Sequence, residues 1–128
     1  MPVITALYAG ILGLFSIVLG SIAGTMRGKK SIDAGDGGDP DMLRAMRRHA
    51  NFIEYVPLAL LLIGLLEMNG VRSLVIHGLG ITLIAGRLLH AAFFHQGVKS
   101  VPRGIGAGLT SLVIAIASFW AIATYVVR

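Results

Sequence analysis

The stretch Arg44–Met68 reads R-A-M-R-R-H-A-N-F-I-E-Y-V-P-L-A-L-L-L-I-G-L-L-E-M. Its first half places Arg44, Arg47, Arg48, Asn51, Glu54 and Tyr55 three and four residues apart, which on a helix is one polar stripe several turns long. From Leu58 to Leu66 the same helix is apolar all round, as a membrane-embedded segment requires. Ionisable groups beside or inside a membrane span are costly to hold there, so the stripe marks a functional site by default. Pro57 removes one intrahelical hydrogen bond and predicts a kink near Asn51–Glu54.

The rest of the chain extends this reading to four spans. Of the 128 residues 55% are hydrophobic and 13% charged, with a mean hydropathy of +0.82, which is the composition of an integral membrane protein. The expected architecture is all-α, a four-helix bundle in a single domain over residues 1–128, with helices near 3–25, 40–68, 71–95 and 103–127. The first helix carries its positive charges (Arg27, Lys29, Lys30) after the apolar core, the reverse of a signal peptide, and is read as a retained span. Gly20-x-x-x-Gly24 within it is a weak helix-packing motif. Asp39-Pro40 suits an N-cap followed by proline at the first helical position, and Asn69-Gly70 a tight turn to an antiparallel neighbour. A loop over Gln96–Pro102 separates the last two helices.

Several chemistries are disfavoured at once. There is no cysteine, so no disulfide, thiolate nucleophile or cysteine metal site belongs to the chain. The aspartates of Ser31–Asp41 lack the order and closing glutamate of a calcium loop. Gly28-Lys29-Lys30-Ser31 lacks the glycine-rich turn of a phosphate loop. His90 and His95 are five residues apart, the wrong spacing for one metal on one helix face, so no metal site is expected. His77, in mid-span, is read as a hydrogen-bonded core residue. The net charge of +5 comes without a basic groove interleaved with aromatics, so no nucleic-acid partner is expected. It records topology and anionic lipid instead. Arg27, Lys29, Lys30, Arg44, Arg47 and Arg48 flank one loop, and Lys99 and Arg103 the other, against only Arg72 and Arg128 opposite. By the positive-inside bias both polar loops are cytoplasmic and both termini outside.

On that topology the arginine stripe, Arg87 and His90 of the third helix, and Arg103 of the fourth meet at one membrane face. Guanidinium forks bind carboxylates bidentately, and Glu54 can pair with an ammonium group or with a neighbouring arginine. Glutathione carries two carboxylates and an amine, and its thiol supplies the nucleophile the chain lacks. An arginine beside that sulfur favours the thiolate.

The motif R-x-x-R-x-H-x-N-x-x-E-Y-x-P, with R-L-L-H at Arg87–His90, the arginine that follows at Arg103 and the Gly35–Gly38 loop, resembles the MAPEG family, the membrane-associated proteins of eicosanoid and glutathione metabolism. The likeness covers essentially the whole chain and is greatest to small bacterial members. It implies a homotrimer in a bacterial inner membrane with glutathione as cosubstrate, held between subunits, and a hydrophobic small-molecule second substrate drawn from the lipid bilayer. By position it implies glutathione contacts at Arg47, His49, Asn51, Glu54 and Tyr55 on the second helix, at Arg87 and His90 on the third, and at Arg27 reaching from an adjacent subunit. It implies thiolate stabilisation by Arg103. The expected activity is that of a glutathione transferase or peroxidase.

Two departures bear on catalysis. Phe94 stands where characterised members often have a tyrosine hydroxyl, and Gly104 where some have a serine. They keep open the alternative of a non-catalytic protein that binds a lipid or amphiphile for a partner. A drug or proton antiporter is disfavoured, because such proteins place an essential glutamate in the first helix, which is uncharged here from Val3 to Met26.

Overall fold

The computed structural model describes residues 1–94 and 100–127. Four helices follow one another: α1 (Val3–Lys29), α2 (Pro40–Met68), α3 (Ser73–Ala92) and α4 (Val101–Val126). All four are long and apolar enough to cross a membrane. The structure is therefore the expected all-α four-helix bundle, and among the described residues there is no strand.

The ends differ from the expected boundaries for local reasons. α1 runs four residues further, to Lys29, and closes in a Schellman motif in which Ile32 N–H bonds the Arg27 carbonyl and Ser31 N–H that of Gly28. Ser31 takes the left-handed conformation this requires (φ 51°). The same motif closes α2: Gly70 (φ 79°) donates to Glu67 and Val71 to Leu66, so α3 starts only at Ser73. Pro102 falls inside the first turn of α4 rather than in the loop, since no N–H is needed there. His95, Gln96 and Lys99 lie outside the described residues, as does Arg128. Asp39 caps α2 as expected, its Oδ1 accepting from Asp41 and Met42 N–H at 2.9 Å each. α2 continues as α-helix through Pro57.

Each helix buries one face. Leu12, Ile63, Leu66, Ile76, Leu83 and Val113 are fully enclosed, while Leu14, Ile81 and Phe119 lie on the outside. That distribution suits a bundle whose solvent is lipid. α2 packs against all three other helices. α3 and α4 approach closely at Gly86 and Gly106: a Cβ on Gly106 would sit 2.5 Å from the Gly86 carbonyl oxygen. The Gly20-x-x-x-Gly24 motif contributes only half of what its spacing suggests, since Gly20 faces His49 and Gly24 faces open space. The up-down order brings the loop between α1 and α2, the end of α3 and the start of α4 to one end of the bundle.

At the opposite end two polar contacts tie α1 down. Glu67 accepts hydrogen bonds from Ile4 N–H (2.8 Å), Thr5 N–H (2.7 Å) and the Thr5 hydroxyl (2.6 Å), satisfying donors that the start of α1 would otherwise leave bare in lipid. The Tyr8 hydroxyl lies 2.8 Å from His77 Nδ1, which gives His77 the core hydrogen bond expected of it.

Candidate functional site

The site begins at the polar stripe of α2. Arg44 is exposed and paired with Asp41, one turn earlier, at 2.7 Å. Arg47 is exposed and has no acidic partner among the described residues. Asn51 is half-buried and meets α3. There Arg87 is 2% exposed and donates from Nη1 to Asn51 Oδ1 at 3.2 Å, with a longer contact to the Asn51 carbonyl at 3.4 Å. A guanidinium can only donate. Arg87 therefore fixes the Asn51 amide with its oxygen turned inward and leaves its NH₂ to serve a ligand acceptor.

One turn past Arg87, His90 is buried (5% exposed) and packs edge-on against Phe94, with ring centroids 5.3 Å apart. Arg103 of α4 stands over the Phe94 ring, its guanidinium carbon 4.5 Å from the ring centroid. A cavity of about 300 Å³ opens between these elements, lined by Leu43, Arg44, Arg47, Asn51, His90, Phe94 and Arg103. Its size is at the low end for small-molecule sites, about 300–1,000 Å³. Its walls carry three guanidinium groups, an imidazole and an amide donor, with no carboxylate among the described residues. Such a lining suits an anion with carboxylate groups.

The structure brings together Arg47, Asn51, His90 and Arg103 of the expected contacts, with Arg87 behind Asn51. It does not bring the others to this cavity. His49 packs toward Gly20 of α1. Arg27 bonds the Ile32 carbonyl at 3.3 Å and the Met46 sulfur at 3.5 Å. Glu54 and Tyr55 are exposed on the α2 surface beyond Asn51. The intramembrane ion pair open to Glu54, with Arg47 or Arg87, is not formed among the described residues. Sequence reasoning missed Leu43, which closes the cavity, and Glu67 at the far end. A lone carboxylate ending an apolar run was the signal available for Glu67.

This arrangement can be set beside known proteins. The protein-family model described as the MAPEG family matches residues 5–123. The chain is 34% identical over 119 residues to the inner membrane protein YecN of Escherichia coli (strain K12), an alignment covering 91% of each. The corresponding protein of Escherichia coli O6:H1 (strain CFT073) matches to the same degree. With a family match that runs from the first helix to the last through four apolar spans, the chain belongs to the MAPEG family.

Proposed function

We propose that this protein is a glutathione-dependent transferase or peroxidase embedded in a bacterial inner membrane. In this reading it works as a homotrimer and takes its second substrate, a lipophilic electrophile or hydroperoxide, from the bilayer. The observation that carries the reading is the convergence of Arg47, Asn51, His90 and Arg103, from three helices, on one cavity that no acid lines among the described residues. Arg47 offers its fork to a glutathione carboxylate, and Asn51 donates a second hydrogen bond from the NH₂ that Arg87 has oriented. Arg103 holds the thiol sulfur as thiolate, because a fixed positive charge within a few ångströms favours the ionised form. At an electrophilic carbon the sulfur forms a C–S bond as a leaving group departs with its electron pair, or as the electrons of an activated double bond shift to the neighbouring carbon and take up a proton. At a hydroperoxide it bonds the outer oxygen as the O–O bond breaks, and the alkoxide takes up a proton to give the alcohol. A second glutathione then reduces the resulting sulfenic acid, giving the disulfide and water.

The trimer is supported by Glu54. It is exposed between Ile53 and Leu58, which are 49% and 48% exposed, so in a lone subunit a carboxylate would face lipid. That costs about 2.5–3.5 kcal/mol at mid-bilayer. Arg47 lies two turns before Glu54 on the same face, and a neighbouring subunit covering both completes the site with Glu54 available to the glutathione amine. The name of the Escherichia coli relative supports the inner-membrane location.

A second reading, a non-catalytic binder of a lipid or amphiphile, is favoured by Phe94. Its ring has no hydroxyl for a thiolate, and it stacks on the guanidinium assigned to that task. Calorimetry of the detergent-purified protein with glutathione tests the first reading. Binding is expected, and Arg47→Ala is expected to weaken it more than Arg44→Ala, whose charge is already paired with Asp41. One lost charge-assisted contact costs about 1.5–3 kcal/mol, roughly ten- to hundredfold in affinity. Absence of heat with the wild type removes the glutathione reading.

A further inference from the structure

A second cavity lies on the other side of Phe94 and Arg44, toward α1. It has a volume of about 200 Å³, and its cations are Lys30, Arg44 and Arg48. Two of these are already neutralised: Lys30 pairs with Asp39, and Arg44 with Asp41, itself a wall of the cavity. Arg48 is half-buried, makes no ion pair among the described residues, and its Nε is fully buried without a hydrogen-bond partner among them. A guanidinium N–H left bare in a membrane protein costs about 1–3 kcal/mol or more, so an acceptor is called for.

The same cavity runs into an apolar groove. Met26 and Lys30 line both, and the groove continues along α1 past Ile22, Val18 and Ile17, a space of about 650 Å³ with Lys29 at its polar end. An open apolar strip along one face of α1, ending in a cationic recess at the membrane face, has the length and charge order of a lipid molecule. Basic recesses between helices at such a face bind anionic headgroups.

We propose that this groove and recess bind one anionic glycerophospholipid, its acyl chain along Ile17, Val18 and Ile22 and its phosphodiester on Arg48. The uncompensated charge on Arg48, with Lys29 nearby, matches a headgroup whose net charge is negative. A zwitterionic headgroup would bring its own cation against them. This site is separate from the cavity of Arg47 and Arg103 and does not depend on thiol chemistry there.

The test is native mass spectrometry of the delipidated full-length protein with phosphatidylglycerol and with phosphatidylcholine of identical acyl chains. Phosphatidylglycerol is expected to bind at least about tenfold more tightly, as one charge-assisted contact gives. Arg48→Gln is expected to abolish that preference, while Arg72→Gln, which removes one positive charge at the opposite face, leaves it intact. Val18→Trp, which fills the groove, is expected to weaken both lipids, and it carries the test if Arg48→Gln does not fold. Equal affinity for the two lipids, or an equal loss in Arg72→Gln, overturns the proposal. So does competition by glycerol phosphate at the lipid's own concentration, which would mark a site for free phosphate. Dissociation of an oligomer by Val18→Trp with lipid affinity unchanged would show that a second copy covers the groove instead.

Discussion

Arg87 on α3 is bonded to Asn51 on α2 through the amide oxygen, at 3.2 Å, and has no carboxylate partner among the described residues. A guanidinium that is 2% exposed and meets only neutral acceptors is an expensive way to join two helices. Its return lies in what it does to Asn51, whose oxygen it holds, leaving the NH₂ as the donor of a residue that lines the cavity shared with Arg47 and Arg103.

Replacing Arg87 by methionine therefore separates stability from binding. Arg87→Met removes a buried charge and keeps an unbranched side chain in its space, so the melting temperature in detergent is expected to hold or rise. Glutathione affinity is expected to fall about tenfold, as one lost oriented hydrogen bond implies. A drop in melting temperature with affinity unchanged would assign Arg87 to packing alone.

The close crossing of α3 and α4 gives a second expectation. In Gly106→Ala the new methyl meets the Gly86 carbonyl at 2.5 Å and His90 N at 2.6 Å, both backbone atoms with no rotamer to yield. Overpacking of this kind costs about 1–3 kcal/mol and pushes His90 away from α4. Gly108→Ala meets nothing within 4 Å and is expected to leave stability unchanged or slightly raised. Thermal unfolding of the two variants side by side checks this, and equal melting temperatures would contradict it.

The glycines also show where the sequence stops being readable. The four spans, the Asp39 cap and the stripe from Arg44 to Asn51 follow from spacing and charge, because a carboxylate before Pro40 or an arginine every turn has few places to go. Helix contacts do not follow in that way. Motif spacing singles out Gly20 and Gly24, but the buried face of α4 runs Gly106, Thr110, Val113, Ala117, and only the packed structure shows that this face meets α3. The stripe is legible as a whole; it continues to Glu54 and Tyr55, whereas the cavity lined by the described residues reaches only to Asn51. Glu67 was passed over because its partners, Ile4 and Thr5, stand more than sixty residues away in the chain.

A pH dependence is expected at the loop before α2. The Lys30 ammonium, first, and the Met42 N–H, next, hold the Asp39 carboxyl below its ordinary range. A carboxylate lowered in the folded state stabilises the fold above its unfolded value of about 3.9, and that contribution is lost as pH falls through the lower native value. Between pH 5 and 8 the cap is expected to be constant. Lys30→Met moves the Asp39 titration upward, and Asp39→Asn keeps the cap while removing the titration. Carbon-13 NMR of the Asp39 carboxyl follows the first variant and melting temperature against pH the second, and an unchanged Asp39 titration in Lys30→Met would show that the ion pair contributes nothing.

The remaining prediction concerns Arg103, the residue assigned to the chemistry. It stands in the first turn of α4, where the helix N-terminus also favours an anion, and Phe94 holds its guanidinium by a contact worth about 0.5–2 kcal/mol. Arg103→Ala is expected to leave assembly and most of the glutathione affinity intact, since Arg47 and Asn51 remain, while thiolate formation is lost. Phe94→Leu keeps the charge but frees it to swing, so a weakened thiolate signal with affinity unchanged is expected there. Ultraviolet absorbance of the bound thiolate followed against pH reads both variants. A signal unchanged in Arg103→Ala would remove this arginine from the mechanism, and a wild type that binds glutathione without any thiolate signal would favour the non-catalytic binder, with the Phe94 ring as the physical reason.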